Sequence, residues 1–332
     1  MKRKFGLSII SLLSAQGAFA AETIDTIIVE GRKINLVGEA VSASQGVVGQ
    51  REIALRPLLR TGEVLEMVPG MVVTQHSGTG KANQYFLRGF NLDHGTDFAT
   101  SIDGMPLNMR THGHGQGYTD LNALIPETVE SIAYKKGAYY ADVGDFSGTG
   151  SAAIKTLSRT DEGLLSLTTG EDSYMRLVAV DSVAVSQGEL LYGVEANTYA
   201  GPWTDIDEDL KKKNLLLAYS QALATGTFSV TLMGYDNNWN SADQIPSRAV
   251  ETGLIDELGS IDSSAGGESS RYSLSSRWQA GNLELSAYAI RYDMNLWSNF
   301  TYFLDDETNG DQFEQVDDRQ IYGGSATYRF EG

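Results

Sequence analysis

The chain has 332 residues, a net charge of −18 and no cysteine. The length suits two domains, and the lack of cysteine excludes disulfides, thiolate nucleophiles and cysteine-ligated metals. The acidic balance argues against nucleic acid as a partner, because phosphate binding needs clustered lysine and arginine.

The first twenty residues have the pattern of an export signal. Residues 2–4 are basic, a short apolar stretch follows, and Ala18 and Ala20 place small residues before a cleavage point. The apolar stretch is shorter than the roughly 20 residues that a membrane-spanning helix needs. We therefore predict a signal peptide over residues 1–20, with a buried N-terminal helix as the alternative.

Residues 21–50 are weakly patterned, with isoleucine and valine scattered through a polar segment. We predict an extended N-terminal segment, which could add itself as a strand to an exposed sheet edge on a partner. An ordinary frayed terminus is the alternative.

Residues 51–160 have the pattern of a compact α+β domain. Residues 61–68 predict a helix with Thr61 as its N-cap and a stop at Pro69 and Gly70. Residues 121–130 predict a second short helix, interrupted at Pro126. Strands are predicted at residues 71–74, 85–90, 98–102 and 131–135.

Residues 161–332 follow a different pattern, in which segments of about ten residues alternate polar and apolar side chains. Residues 227–232, for example, place Phe, Val and Leu between Thr, Ser and Thr. Such strands have one face for each of two environments and are long enough to cross a bilayer. Eight strands are predicted, near residues 163–170, 173–186, 189–200, 213–223, 226–239, 270–279, 282–302 and 318–330.

The predicted connections also favour a membrane barrel. Short turns fall near residues 187, 225 and 281, and long acidic loops fall at 201–212, 240–269 and 303–317. A soluble β-sandwich is the alternative. Aromatic residues near strand ends suit the membrane–water boundary: Trp239, Trp278, Tyr292, Trp297, Tyr302 and Phe303.

Several motifs, in their order and spacing, resemble those of TonB-dependent receptors. Residues 69–71 form a Pro-Gly-hydrophobic step, and residues 125–132 precede a Lys-Gly step at residues 136–137. The family's Arg-Gly motif and Asp-Gly segment are matched by Arg88 with Gly89 and Asp103 with Gly104, which we interpret as structural residues of the plug. The family's TonB box is resembled by Asp25, Thr26, Ile27, Ile28 and Val29.

The resemblance implies an α+β plug domain followed by antiparallel transmembrane β-strands of an incomplete outer-membrane β-barrel. Barrels of this kind have about 22 strands, so about fourteen would be absent and we expect a fragment or a truncated gene product. The plug is expected to be held mainly by polar contacts. The implied location is the bacterial outer membrane.

The resemblance also implies a function, the energised uptake of a scarce nutrient such as a metal chelate or a metal ion. The implied partners are TonB with its inner-membrane energising complex, outer-membrane lipid and the small-molecule or metal-chelate ligand, with no nucleic acid. No cofactor is predicted. A periplasmic binding or signalling module built on the plug alone and an outer-membrane enzyme are the alternatives.

All four histidines lie in glycine-rich loops of the predicted plug. Imidazole and carboxylate groups are ligands for zinc, copper or nickel, so His112, His114 and Asp93 form a candidate metal site. Polar loop histidines that only hydrogen-bond the backbone or the barrel wall are the alternative. The wider set of candidate ligand-binding residues is His76, His94, Asp97, His112 and His114.

Overall fold

The computed structural model describes residues 38–75 and 77–330. The predicted signal peptide, the predicted TonB box and His76 therefore lie outside the described residues. No helix in the described part of the chain is long and apolar enough to cross a membrane. The described chain consists of a plug with two small sheets and a second region with one large sheet.

The plug contains nine described strands. They are β1 (Gly38–Ser42), β2 (Gln45–Gly49), β3 (Met71–Thr74), β4 (Gln84–Leu87), β5 (Phe90–Asn91), β6 (Phe98–Ile102), β7 (Met105–Pro106), β8 (Val129–Lys136) and β9 (Gly150–Thr156). One sheet has the order β1-β2-β8-β9-β6-β7, with β6 and β9 parallel, and the other has the order β3-β4-β5. Short helices lie at Gln50–Ile53 (α1) and, as 3-10 helices, at Thr61–Met67 and Pro126–Thr128.

The plug differs from the sequence predictions in its N-terminal part. Residues 38–49 form the β1–β2 hairpin, and β2 pairs with β8 from Gly49 to Gln45, so these residues belong to the sheet and not to an extended segment. The backbone of Arg88 and Gly89 has positive φ, 52° and 86°, which makes this motif a tight turn between β4 and β5 and not the middle of a strand.

Neither predicted plug helix is an α-helix, and the second is also shorter than predicted. The segment at Thr61–Met67 is a 3-10 helix without a side-chain cap, because the Thr61 hydroxyl instead accepts a hydrogen bond from Lys212 Nζ at 3.0 Å. In residues 121–130 the only helical part is the 3-10 turn at Pro126–Thr128, and β8 already begins at Val129.

The second region forms an eight-stranded antiparallel sheet, which confirms the predicted number of strands. The strands are β10 (Leu164–Thr169), β11 (Met175–Val185), β12 (Gly188–Tyr199), β13 (Leu210–Leu223), β14 (Gly226–Asn240), β15 (Gly266–Ala280), β16 (Leu283–Ser298) and β17 (Phe313–Tyr328). Several strands begin three to five residues earlier than predicted, because pairing continues into polar sequence. Two-residue turns alternate with long loops at residues 200–209, 241–265 and 299–312, and the second of these contains α2 (Ser247–Glu251). The division between plug and strands at residue 160 stays a prediction.

The two faces of the large sheet have opposite character. Leu232 and Leu274 point outward and are 40% and 51% exposed, whereas their neighbours Thr231 and Ser273 are buried against the plug. Apolar side chains on the exposed face and polar ones on the buried face are the reverse of a soluble sheet and typical of a strand between lipid and lumen.

The plug core continues onto the inner face of this sheet. Val178, Leu191, Leu216 and Met233 of the sheet belong to the same buried cluster as the plug core residues. Gly193 lets the plug approach closely, since a Cβ there would lie 3.0 Å from the Thr128 methyl group. The expectation of a mainly polar plug interface is therefore wrong in part, because apolar contacts contribute as well.

A chain of paired charges also joins the plug to the sheet. Arg176 on β11 donates to Glu127 of the plug at 2.8 Å and to Glu195 on β12 at 2.6 Å. Lys212 on β13 lies 3.2 Å from Glu195 and donates to Thr61 of the plug. Each of these charged groups has a partner of opposite sign, so none is left unpaired. The series of contacts begins at Glu127 and ends at Thr61, and both residues belong to the plug.

Half of the aromatic residues predicted for the membrane boundary are buried. Trp239 and Tyr292 contact the plug. Tyr302 packs among the long loops, where its hydroxyl donates to the Gln244 carbonyl at 2.6 Å. Trp239, Tyr292 and Tyr302 are 4%, 1% and 7% exposed. A Cβ on Gly80 of the plug would lie 2.0 Å from the Trp239 ring, so the glycine is needed for this contact. The register of β14 and β16 places Trp239 and Tyr292 at buried positions, and position near a strand end does not determine which face a ring occupies.

Replacing Glu127 by Gln should loosen the plug. The substitution removes the plug's charge from Arg176, and we expect a loss of about 1.5–3 kcal/mol in local stability. The measurement is amide hydrogen exchange at residues 125–132. The matched control is Glu130→Gln. Glu130 pairs with Lys155 at 2.7 Å, and the Lys155 side chain is about half exposed, whereas that of Arg176 is buried. We expect this substitution to cost no more than about 1 kcal/mol. Equal protection in the two variants would contradict the assigned role of Glu127.

Candidate functional site

The loop with His112 and His114 is closed at its base and held against the sheet. The Met109 amide donates to the Tyr118 carbonyl at 3.0 Å, which closes the loop. His114 Nδ1 and Gln315 Oε1 of β17 are 2.8 Å apart, and Gln315 Nε2 donates to the Gly113 carbonyl at 2.8 Å. The loop is therefore positioned by hydrogen bonds to the last described strand.

Three of the four histidines lie together around Tyr118. The His112 ring stacks on the Tyr118 ring at 4.0 Å between centroids, and the His94 and His114 rings are 4.5 Å apart. His94 is buried, and its Nδ1 donates to the carbonyls of Ala82 and Asn83 at 2.9 and 3.1 Å. The structure brings these three histidines into one packed aromatic cluster.

The carboxylates proposed beside the histidines behave differently from one another. Asp93 Oδ1 lies 3.7 Å from His94 Nε2, with its side chain about half exposed. Asp97 joins a different turn, where its carbonyl accepts hydrogen bonds from Thr149. Within residues 38–75 and 77–330, no group of three or more His, Asp or Glu side chains is arranged to hold a metal ion. A metal site at His112, His114 and Asp93 stays a prediction.

The residues interpreted as structural lie at turns of the plug. Asp103 is half-buried and accepts hydrogen bonds from the Thr156 amide at 3.0 Å and the Thr156 hydroxyl at 2.7 Å. Burial raises the pKa of Asp103, while these two hydrogen bonds act in the opposite direction. Asp103 and Gly104 have positive φ, 49° and 83°, and form the β6–β7 turn. Arg88 is exposed and lies 3.4 Å from the Ala43 carbonyl, so it contacts the β1–β2 turn.

Two carboxylates of the long loops accept hydrogen bonds from a plug loop at residues 77–79. Glu208 accepts hydrogen bonds from the amide and hydroxyl of Thr79, and Asp243 accepts one from the Ser77 hydroxyl. Burial raises the pKa of Glu208. Outer-membrane barrels have short periplasmic turns and long outer loops, so in such a barrel these contacts would lie on the outer side of the plug.

A cavity of about 810 Å³ lies beside this plug loop, between the plug and the outer ends of β10 to β13. The size is in the range of small-molecule sites. Aromatic and polar side chains from both plug and sheet line it, among them Arg60, Thr61, Tyr174, Asn197, Tyr199 and Lys212. Lys212 and Thr61 thus belong both to the cavity and to the charge chain that holds the plug.

Sequence reasoning missed the residues that join plug and sheet. Glu127 lies within the motif at residues 125–132, but nothing in that motif identifies its partner. Arg176, Glu195 and Lys212 interrupt the buried faces of three neighbouring strands with charges. Charged residues at lumen-facing positions of adjacent strands are the signal that could have identified them.

The His112 imidazole should remain neutral well below pH 6.5, the ordinary pKa of a histidine side chain. Burial is the main cause that lowers the pKa of His112 from 6.5 to about 4, against an opposing effect of Asp317. Because the unfolded chain binds a proton more readily, the stability contributed by this ring is present above pH 6.5 and is lost as the pH falls towards 4. An NMR titration of the imidazole resonances measures the midpoint, and a midpoint near 6.5 in the folded chain would contradict the packing around Tyr118.

A family model for the TonB-dependent Receptor Plug Domain matches residues 38–151. The vitamin B12 transporter BtuB of Vibrio vulnificus (strain CMCP6) is 28% identical over 223 residues, which are 65% of this chain and 35% of that protein. The chain therefore spans about a third of the length of this relative.

Solved structures of outer-membrane transporters share the fold. The copper transporter OprC matches with a TM-score of 0.63 at 17% identity, covering 89% of this chain and 44% of that one. The siderophore receptor PirA from Acinetobacter baumannii matches with a TM-score of 0.59 at 17% identity, over 87% and 46% of the two chains. The unliganded ferric citrate transporter FecA matches with a TM-score of 0.61 at 14% identity, over 80% and 42%. Residues 38–151 therefore match the plug domain of TonB-dependent receptors, and the described chain shares the fold of these transporters.

Proposed function

We propose that the chain serves the energised uptake of a scarce nutrient, a metal chelate or a metal ion, through the outer membrane. In this proposal the cargo binds on the outer side, and TonB with its inner-membrane complex pulls on the N-terminal segment. Part of the plug then moves away from the sheet, and the cargo passes to the periplasm.

The observation that carries the proposal is the position of β1 in the plug. β1 is an edge strand of the six-stranded sheet and pairs only with β2 among the described residues. The predicted TonB box at residues 25–29 precedes β1 in the chain. A pull on the box would therefore act first on an edge strand, which can separate without breaking the central pairs β8–β9 and β6–β9.

The nature of the cargo is supported by chemistry and by the relatives. The matched proteins include transporters or receptors for copper, siderophores, ferric citrate and vitamin B12, all of which contain a metal or bind one. The His94–His112–His114 cluster on the plug also offers imidazole groups, and imidazole binds transition metals.

The alternative of an isolated plug acting as a soluble periplasmic module has less support. Val178, Leu191 and Met233 of the sheet are part of the plug's own buried cluster. Without the sheet, this apolar surface would face water, and an exposed apolar patch of this kind favours association. The family consists of receptors and transporters, and we propose no enzymatic activity for the chain.

Deleting residues 25–29 should abolish binding of the purified periplasmic domain of TonB. A strand added through main-chain hydrogen bonds needs the segment itself, so its removal leaves TonB without a binding partner. The measurement is a binding titration against the full chain in detergent micelles.

The matched control is deletion of residues 31–35, which shortens the same N-terminal segment by the same length outside the predicted box. We expect this control to retain TonB binding. If the 25–29 deletion binds TonB as well as the intact chain does, the assignment of the TonB box is wrong.

A further inference from the structure

The three long outer loops carry a strongly asymmetric charge. Residues 200–209, 241–265 and 299–312 contain thirteen of the 43 acidic residues of the chain and a single basic one, Arg248. Their net charge of −12 is two thirds of the −18 of the whole chain. A field of one sign above a cleft raises the local concentration of ligands of the opposite sign.

Carboxylates in these loops are held in the ionised state. Asp311 accepts backbone hydrogen bonds from Leu304 and Asp306, each at 2.8 Å. A hydrogen bond from the Thr301 side chain, followed by these backbone bonds, lowers the pKa of Asp311 to about 2. Hydrogen bonds from Ser264 and Asn299 likewise lower the pKa of Asp262, against the effect of burial. These hydrogen bonds favour the ionised forms of Asp311 and Asp262, two of the thirteen acidic residues in the loops.

The cavity beneath the first of these loops has no unpaired cation for an anionic ligand. Of its two basic residues, Arg60 donates to Glu63 at 2.8 Å and Lys212 lies 3.2 Å from Glu195. Its remaining acidic residues are the buried Glu208 and, at the rim, the exposed Glu171 and Asp172. The surplus charge of the lining is negative.

The interior of the cavity adds groups that suit a cation with hydrogen-bond donors. Asn197 is 5% exposed and lines the cavity beside Tyr174, with which its side chain shares a hydrogen bond. A side-chain amide has two donor hydrogens and two acceptor lone pairs, so Asn197 retains capacity for a donor on the ligand. The rings of Tyr174 and Tyr199 lie 5.8 Å apart in an edge arrangement beside it, and aromatic faces attract cations.

We propose that this cavity binds a cationic ligand that brings its own hydrogen-bond donors, as an ammonium compound or a metal complex with N–H groups does. The inference rests on the proposed uptake function and gives the charge class of its cargo. A bare metal ion fits less well, since no group of three metal-binding side chains is present in the described part of the chain.

The test uses the full chain in neutral detergent and three probes. Hexaamminecobalt(III) and hexacyanocobaltate(III) are compact complexes of opposite charge around the same metal, and spermidine is an organic cation with N–H donors. Equilibrium dialysis at an ionic strength of about 0.15 M measures binding after long-range attraction is largely screened. We expect at least one cation to bind more than about tenfold more tightly than the anion, and the cation that binds better identifies the ligand source.

Two charge-matched double variants locate the site. Glu171→Gln with Asp172→Asn removes both exposed rim carboxylates, and we expect it to weaken cation binding about fivefold or more. Asp305→Asn with Glu307→Gln removes the same charge from a loop that does not line the cavity, and we expect less than a twofold effect. Because all four substituted residues are exposed, neither variant should affect folding.

Equal or tighter binding of the anionic complex would overturn the proposal, and so would equal weakening in both variants or no binding of either cation. TonB binding measured on the same preparations separates this outcome from a failure of the uptake function. Intact TonB binding without cation selectivity overturns only the inferred charge class, whereas loss of TonB binding in the intact chain overturns the function itself.

Discussion

The paired charges between plug and sheet are the constraint on which the rest of the structure depends. Arg176, Glu195 and Lys212 lie on the inner face of neighbouring strands, where an unpaired charge would be strongly destabilising. Glu127 and Thr61 of the plug complete the set. The sheet therefore needs the plug to satisfy its inner face, and the plug needs the sheet to cover its apolar core.

The interface combines two kinds of contact with different consequences for movement. The apolar cluster around Leu191 and Leu216 resists the removal of the whole plug, because such removal would expose a continuous core to water. The edge strand β1 is held by backbone pairing to β2. A pull from the N-terminal side is thus expected to separate the edge hairpin while the charge chain retains the rest.

The parts of the fold set by local pattern were predictable from the sequence, and those set by long-range partners were not. The eight strands follow from a period of two, and the Asp103–Gly104 turn follows from its residue types. Pairing between Lys212 and Thr61 joins residues 151 positions apart, and no local signal reports it. The same limit explains Trp239, whose inward position depends on Gly80 of the plug.

The candidate site, too, was predictable only in the features that depend on local sequence. The histidines could be assigned to glycine-rich plug loops from the sequence, but their stacking on Tyr118 and their bonding to Gln315 depend on contacts that no local pattern reports. The cavity beside Asn197 was not predictable, because it is formed by residues from the plug, three strands and two outer loops.

If the large sheet crosses lipid with one face on the plug, two adjacent positions of β15 must differ in their exposure to lipid, and spin labels can measure this difference. The chain has no cysteine, so Ser273→Cys and Leu274→Cys each give a unique attachment site. After reconstitution in lipid vesicles, we expect the label at position 274 to be relaxed by oxygen, which concentrates in lipid, and the label at 273 to be protected. Equal protection at both positions, or relaxation of the 274 label mainly by a water-soluble nickel chelate, would contradict this placement of the sheet.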